Sequence, residues 1–143
     1  MYCSVSDVES ELYLPVLKQM QTAWGAGYET AVLAQIETAE CYIDSMLAGS
    51  FETPFKFQRP EDVPKALRVC CQKFAAFGIV ARFSEKEDIV ADRRTDAESM
   101  LMAFLSSGRI PGMPDDGKGG DAKGKIRWKS SQEVFTDKEF EKW

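Results

Sequence analysis

Apolar residues recur through the body of this chain at steps of three and four, most plainly at Val32, Ile36, Ala39, Ile43 and Leu47. That spacing turns one face of an α-helix toward a core. Gln35, Glu37, Glu40 and Asp44 stay off the stripe. Thr30 is the candidate cap, and Gly49 stands where a helix end favours glycine. Two shorter helices are expected upstream. Ser4 with Asp7 forms a capping box with Asp in place of the usual Glu, ahead of Val8 and Leu12, with Val5 on the same side. Pro15 opens the second short helix, which turns Val16, Met20 and Trp24 inward and stops at Gly25-Ala26-Gly27.

Residues 50–60 carry Pro54, Pro60 and the alternation Phe55-Lys56-Phe57, which predicts an extended loop holding a short strand. A central helix is expected over 61–83, with Pro64 in its first turn. Val63, Leu67, Cys70, Phe74, Phe77 and Ala81 make one stripe along it. Val69, Ala76, Val80 and Phe83 make another. A helix apolar on nearly every side lies buried between neighbours. Ser84 with Glu87 reads as a capping box for a last helix, whose inward face is Val90, Ala97, Leu101, Phe104 and Leu105 and whose stop is Gly108. The expected fold is therefore all-α: a small bundle of three main helices plus one or two short N-terminal ones.

The pattern changes after residue 110. Ile110-Pro111-Gly112 leads into Gly117-Lys118-Gly119-Gly120-Asp121-Ala122-Lys123-Gly124-Lys125, the composition of a solvated, flexible linker. A final stretch then supplies Trp128, Val134, Phe135, Phe140 and Trp143, with Arg127 beside the first. The expected organisation is a body at 1–110, a linker at 111–125 and a docking arm at 126–143. Burying Phe135, Phe140 and Trp143 would contribute about 1.5–3 kcal/mol each, part of it offset by ordering the chain. A strap that ends in large apolar groups therefore points to a preformed surface on another chain, reached by strand addition or by docked side chains.

Composition narrows the chemistry. The chain has 143 residues, 44% hydrophobic, with a net charge of −5 and no histidine. Imidazole-activated serine or cysteine nucleophiles are thereby excluded. Of the four cysteines, Cys3, Cys41, Cys70 and Cys71, none forms a C-x-x-C pair, and reduced, packed thiols are expected. Gly112 to Lys118 matches G-x-x-x-x-G-K, but Gly119 follows where Ser or Thr would hold magnesium. Glu37 and Glu40 on one helix, with Glu85, Asp88, Asp92 and Asp96 on another, resemble the carboxylate sets of all-α nucleotide pyrophosphatases. Lys86, Arg93 and Arg94 intervene on the second helix, and a solvated or intersubunit face is the expected reading. No cofactor and no metal are expected. No apolar run reaches membrane-spanning length and no signal peptide precedes the body, so synthesis in the cytoplasm is expected. Lys118, Lys123, Lys125, Arg127 and Lys129 make a local basic segment, expected to meet an acidic partner rather than nucleic acid.

Several segments resemble the small head–tail connector (adaptor) proteins of Mu-like tailed phages and prophages. Met1 to Val8 is similar to their opening. Ile43-Asp44-Ser45-Met46-Leu47-Ala48-Gly49-Ser50-Phe51, followed by Pro54-Phe55, is similar to their aliphatic-Asp-x-x-Leu-x-Gly-x-aromatic helix end. Val63-Pro64-Lys65-Ala66-Leu67 resembles the start of their central helix. Met100-Leu101 through Leu105, Gly108, Arg109 and Ile110 resembles their last helix and its exit, and Val134-Phe135-Thr136 with Phe140 resembles their C-terminal ending. The loop Trp24 to Tyr28 and the pair Cys70-Cys71 depart from the usual pattern.

The resemblance implies a helical subunit without catalysis. Copies would form a ring, usually dodecameric, below the portal protein, linked to a tail-completion or tail-terminator protein and lining a channel through which DNA passes without specific binding. It implies a place in the virion neck, at the head–tail interface, after assembly in the host bacterial cytoplasm, with no membrane partner. The other readings open at this level are a helical scaffold or chaperone for phage assembly and, more remotely, a magnesium-dependent nucleotide pyrophosphatase.

Overall fold

The computed structural model describes residues 1–83 and 87–113, without the side chains at 87–91 and 93. Among these residues the regular elements are five α-helices and two 3₁₀ turns, with no strand. The helices are α1 (Val5–Ser10), α2 (Leu14–Trp24), α3 (Tyr28–Leu47), α4 (Lys65–Phe83) and α5 (Glu87–Ser107). The all-α bundle expected from the sequence is what forms: three long helices and two short ones.

Helix α4 is the axis. It packs most extensively against α5 and α3, while α1 and α2 close over the remaining side. The stripe on α3 is buried throughout, from Val32 through Ile36, Ala39 and Ile43 to Leu47. Leu67, Cys70 and Phe74 of α4 are buried in the same core, and so are Cys71, Ala75 and Ile79, which lie outside the two expected stripes. Ala97, Leu101 and Phe104 of α5 complete the core. Leu105 and Phe77 sit at its edge. Phe77 was expected inside, yet it is half-buried, and the Arg94 guanidinium lies over its ring at 5.7 Å, a cation–π contact.

Local chemistry explains most boundaries. Ser4 and Asp7 form the reciprocal capping box at α1. Pro15 sits in the first turn of α2. Helix α3, however, begins at Tyr28 after the Gly25–Gly27 turn, so Thr30 lies inside it and caps nothing. The turn feeds α2 directly into α3 and leaves no non-helical position for Thr30. Gly49 lies one residue past the α3 cap without a left-handed conformation. The N–H groups of Ser50 and Phe51 both return to the Leu47 carbonyl and close that helix end instead. Helix α4 starts at Lys65, not 61, because Pro64 disfavours helical geometry at the residue before it. Val63 is extended, with ψ 122°. Gly108 ends α5 with φ +68°, as its position suggested.

The expected strand in 50–60 does not form. Phe55 and Phe57 are half-buried while Lys56 is exposed, so the alternation is present without a ladder partner. The capping pair Ser84 and Glu87 falls outside the described side chains. From residue 114 onward the linker and arm, with Arg127, Trp128, Val134, Phe135, Phe140 and Trp143, also lie outside them.

Candidate assembly surface

The chain's opening is tied into the body through Tyr2, which is 3% exposed. Its backbone N–H donates to the Glu40 carboxylate. Its hydroxyl donates to Asp44 Oδ1 at 2.6 Å and accepts the Phe55 backbone N–H at 2.9 Å. Thr53 Oγ1 adds a bond to the Asp44 carbonyl at 3.1 Å. Burial first, and then the bond to Asp44, push the Tyr2 phenol well above its ordinary range. The polar positions Glu40 and Asp44, off the α3 stripe, thus hold the N-terminal segment and the 50–60 loop on one helix. Glu40, a candidate magnesium ligand by sequence, has this structural use, and Glu37 is exposed. The side chains of Glu85 and Asp88 are outside the described set. Among the described residues no three Cys, Asp or Glu side chains gather around a possible metal position.

The Tyr2 ring lies 6.0 Å from Phe55 and 6.2 Å from Phe57, and Phe51 is 6.1 Å from Phe55. These are separations at which tilted and edge-to-face rings attract. Tyr2, Phe55 and Phe57, with Val63, Arg59 and Arg68, line an open groove of about 580 Å³. That size is typical of a ligand or side-chain pocket. Arg59 is exposed and approaches Asp62 at 3.4 Å and Glu61 at 3.9 Å, contacts worth little in water. Arg68 Nη2 donates to the Pro60 carbonyl at 2.9 Å, and no carboxylate pairs with it among the described residues. Aromatic rings beside guanidinium groups are suited to recognition: the rings take apolar side chains, and Arg forks take carboxylates.

The last described residues lie close to this groove. Ile110 is 2% exposed, so the residues after Gly108 turn back into the core. The Met113 N–H donates to the Ile110 carbonyl at 3.1 Å. A Cβ on Gly112 would stand 3.8 Å from that of Pro64, the neighbour of the groove residue Val63.

The motif residues are spread along the bundle rather than gathered. Ile43, Leu47, Leu67, Phe74 and Leu101 are in the core, Pro64 and Gly108 are buried at helix ends, and Asp44 holds Tyr2. The groove went unnoticed in the sequence. Its one trace there is Phe55-Lys56-Phe57, whose alternation predicts an extended loop holding a short strand. Elsewhere Tyr42 and Met46 are exposed one turn apart on α3, and the Tyr42 ring packs at 5.0 Å from Phe74. Three thiols are buried, with Cys3 Sγ 3.4 Å from Cys71 Sγ, and Cys41 is exposed. No described helix is long and apolar enough to cross a membrane.

A family model described as Bacteriophage Mu, Gp36 matches residues 2–128. The match takes in the described body from Tyr2 onward, with the Tyr2 knot and the groove residues from Tyr2 to Arg68, and ends at Trp128. No curated protein and no solved structure matches the chain.

Proposed function

The chain belongs to the bacteriophage Mu, Gp36 family, and from that premise we propose that it is a structural subunit of the phage neck. In this reading copies of the body form a ring below the portal protein, and the ring joins the portal to a tail-completion protein. The arm at 126–143 secures one copy to the next. The subunit works by contact and not by catalysis.

The observation that carries the reading is the family match over nearly the whole body, joined to a sequence whose remaining large apolar residues follow a glycine-rich stretch. Several such arms around a ring would act together, so weak individual contacts become a stable assembly. The net charge of −5 supports a channel role, because a chain without excess positive charge does not hold passing DNA phosphate.

Deleting residues 126–143 in the phage tests the proposal. The expected result is unjoined heads and tails in micrographs of the lysate, with the intact chain found in the neck of normal particles. Normal joining by the truncated protein, or density for this chain anywhere but the neck, would overturn it.

A further inference from the structure

We propose that the aromatic groove at Tyr2, Phe55, Phe57, Arg59, Val63 and Arg68 receives the C-terminal segment, residues 133–143, of a neighbouring copy of this chain. The inference rests on the assembly reading above and adds the receptor site that reading lacks.

Three observations point the same way. First, the groove and the segment are complementary in kind. The groove offers half-buried phenylalanine rings and the Arg68 guanidinium, which has no carboxylate partner among the described residues. The segment offers Val134, Phe135, Phe140 and Trp143, interleaved with Glu133, Asp137, Glu139 and Glu141 against Lys138 and Lys142. Asp7 and Glu61 also line the groove and would receive those lysines. Second, the groove volume of about 580 Å³ accommodates more than one aromatic side chain.

Third, the geometry of the exit favours a neighbour over the chain's own groove. Gly112 lies against Pro64, the chain neighbour of the groove residue Val63. A segment meant for its own groove would need only a tight turn from there. Instead residues 114–125 intervene. Extended at about 3.3 Å each, they reach roughly 40 Å. A body of this size has a radius of gyration of about 13 Å and is therefore roughly 30 Å across. The intervening length matches the distance to the same groove one subunit away. It also explains why the groove sits beside the exit: in a ring, each copy would receive an arm where it gives one.

The test uses the full chain in its assembled form, with a photoreactive benzophenone amino acid replacing Phe140. Unlabelled and ¹⁵N-labelled chains are mixed before assembly, irradiated and mapped by mass spectrometry. The expected products are mixed-isotope cross-links from position 140 to residues 55–68 or to the first four residues. Cross-links within one copy, to any other surface, or none at all would overturn the proposal. A second measurement guards against a disturbance caused by the probe. Arg59→Glu, at an exposed position, together with Phe57→Ser should weaken association of the full chain by about tenfold or more, and should leave association of a 1–125 chain unchanged. Equal effects on both chains would overturn the groove assignment. Failure of these tests leaves the neck reading standing, since that reading is decided by where the chain sits in the particle.

Discussion

The hydroxyl of Tyr2 and the carboxylate of Asp44 are 2.6 Å apart in space and forty-two residues apart in sequence. One hydroxyl joins the N-terminal segment to the middle of the bundle, and through the Phe55 N–H it also fixes the loop that forms the groove. Tyr2→Phe keeps the ring and deletes the joint. It leaves a backbone donor and a half-buried carboxylate without their partner. The expected loss is about 1–3 kcal/mol, read as a lower urea midpoint with an unchanged slope. A loss below about 0.5 kcal/mol would show that the joint is dispensable.

Two glycines should respond in opposite directions. A Cβ at Gly78, inside α4, would meet Gln35 Oε1 at 2.7 Å, and that atom is the far end of a flexible side chain. The amide can swing away, so Gly78→Ala should gain up to about 1 kcal/mol from helix propensity. Gly108 has φ +68°, and a Cβ added there would meet no atom within 4 Å. Gly108→Ala should lose about 1–2 kcal/mol to backbone strain alone. Thermal melting of the two variants checks both signs, and a stabilised Gly108→Ala would refute the left-handed helix end.

The thiols should separate into two classes. Cys41 is exposed, while Cys3, Cys70 and Cys71 are buried. Burial pushes the Cys70 thiol up to about 12, and the contact with Cys3, followed by burial, raises Cys71 still more strongly. A thiol held protonated is a poor nucleophile. In the native protein one equivalent of an alkylating reagent should therefore react quickly, and mass mapping should find it on Cys41. In urea all four should react. Fast native labelling of Cys71 would contradict its packing.

Alkaline pH should unfold the protein. Tyr2, Cys70 and Cys71 all have folded-state pKa values raised above their ordinary ones, which are 10.0 for tyrosine and 9.0 for cysteine. Below about pH 9 these groups are protonated in both states and their contribution is intact. As pH rises further, the unfolded chain releases protons that the folded chain keeps, so stability falls. The decline should continue to about pH 12, where Cys70 itself titrates in the folded state. Urea midpoints that hold level from pH 8.5 to 11 would disprove the linkage.

The helices were legible because their signals are local. The Val32 to Leu47 stripe is a period that one helix imposes on its own sequence, and the Ser4 box and Gly108 stop are written within a few residues. What escaped depends on meetings between distant segments. Nothing near Tyr2 announces Asp44, and nothing in Phe55-Lys56-Phe57 says whether its extended backbone will find a ladder. The true start of α4 is legible in principle, since Pro64 acts on Val63 directly, but the apolar stripe begins at Val63 and masks the boundary. The groove is such a meeting as well, between the first residues, a loop and the first turn of α4.

The burial of Ile110 has a mechanical meaning. Anything tugging on the tail of this polypeptide meets Gly112 beside Pro64 and then Ile110 seated in the interior before it reaches the last turn of α5. Tension arriving there would be shared with the central rod of the bundle, so strain between adjoining copies could be borne without peeling a helix away from its end.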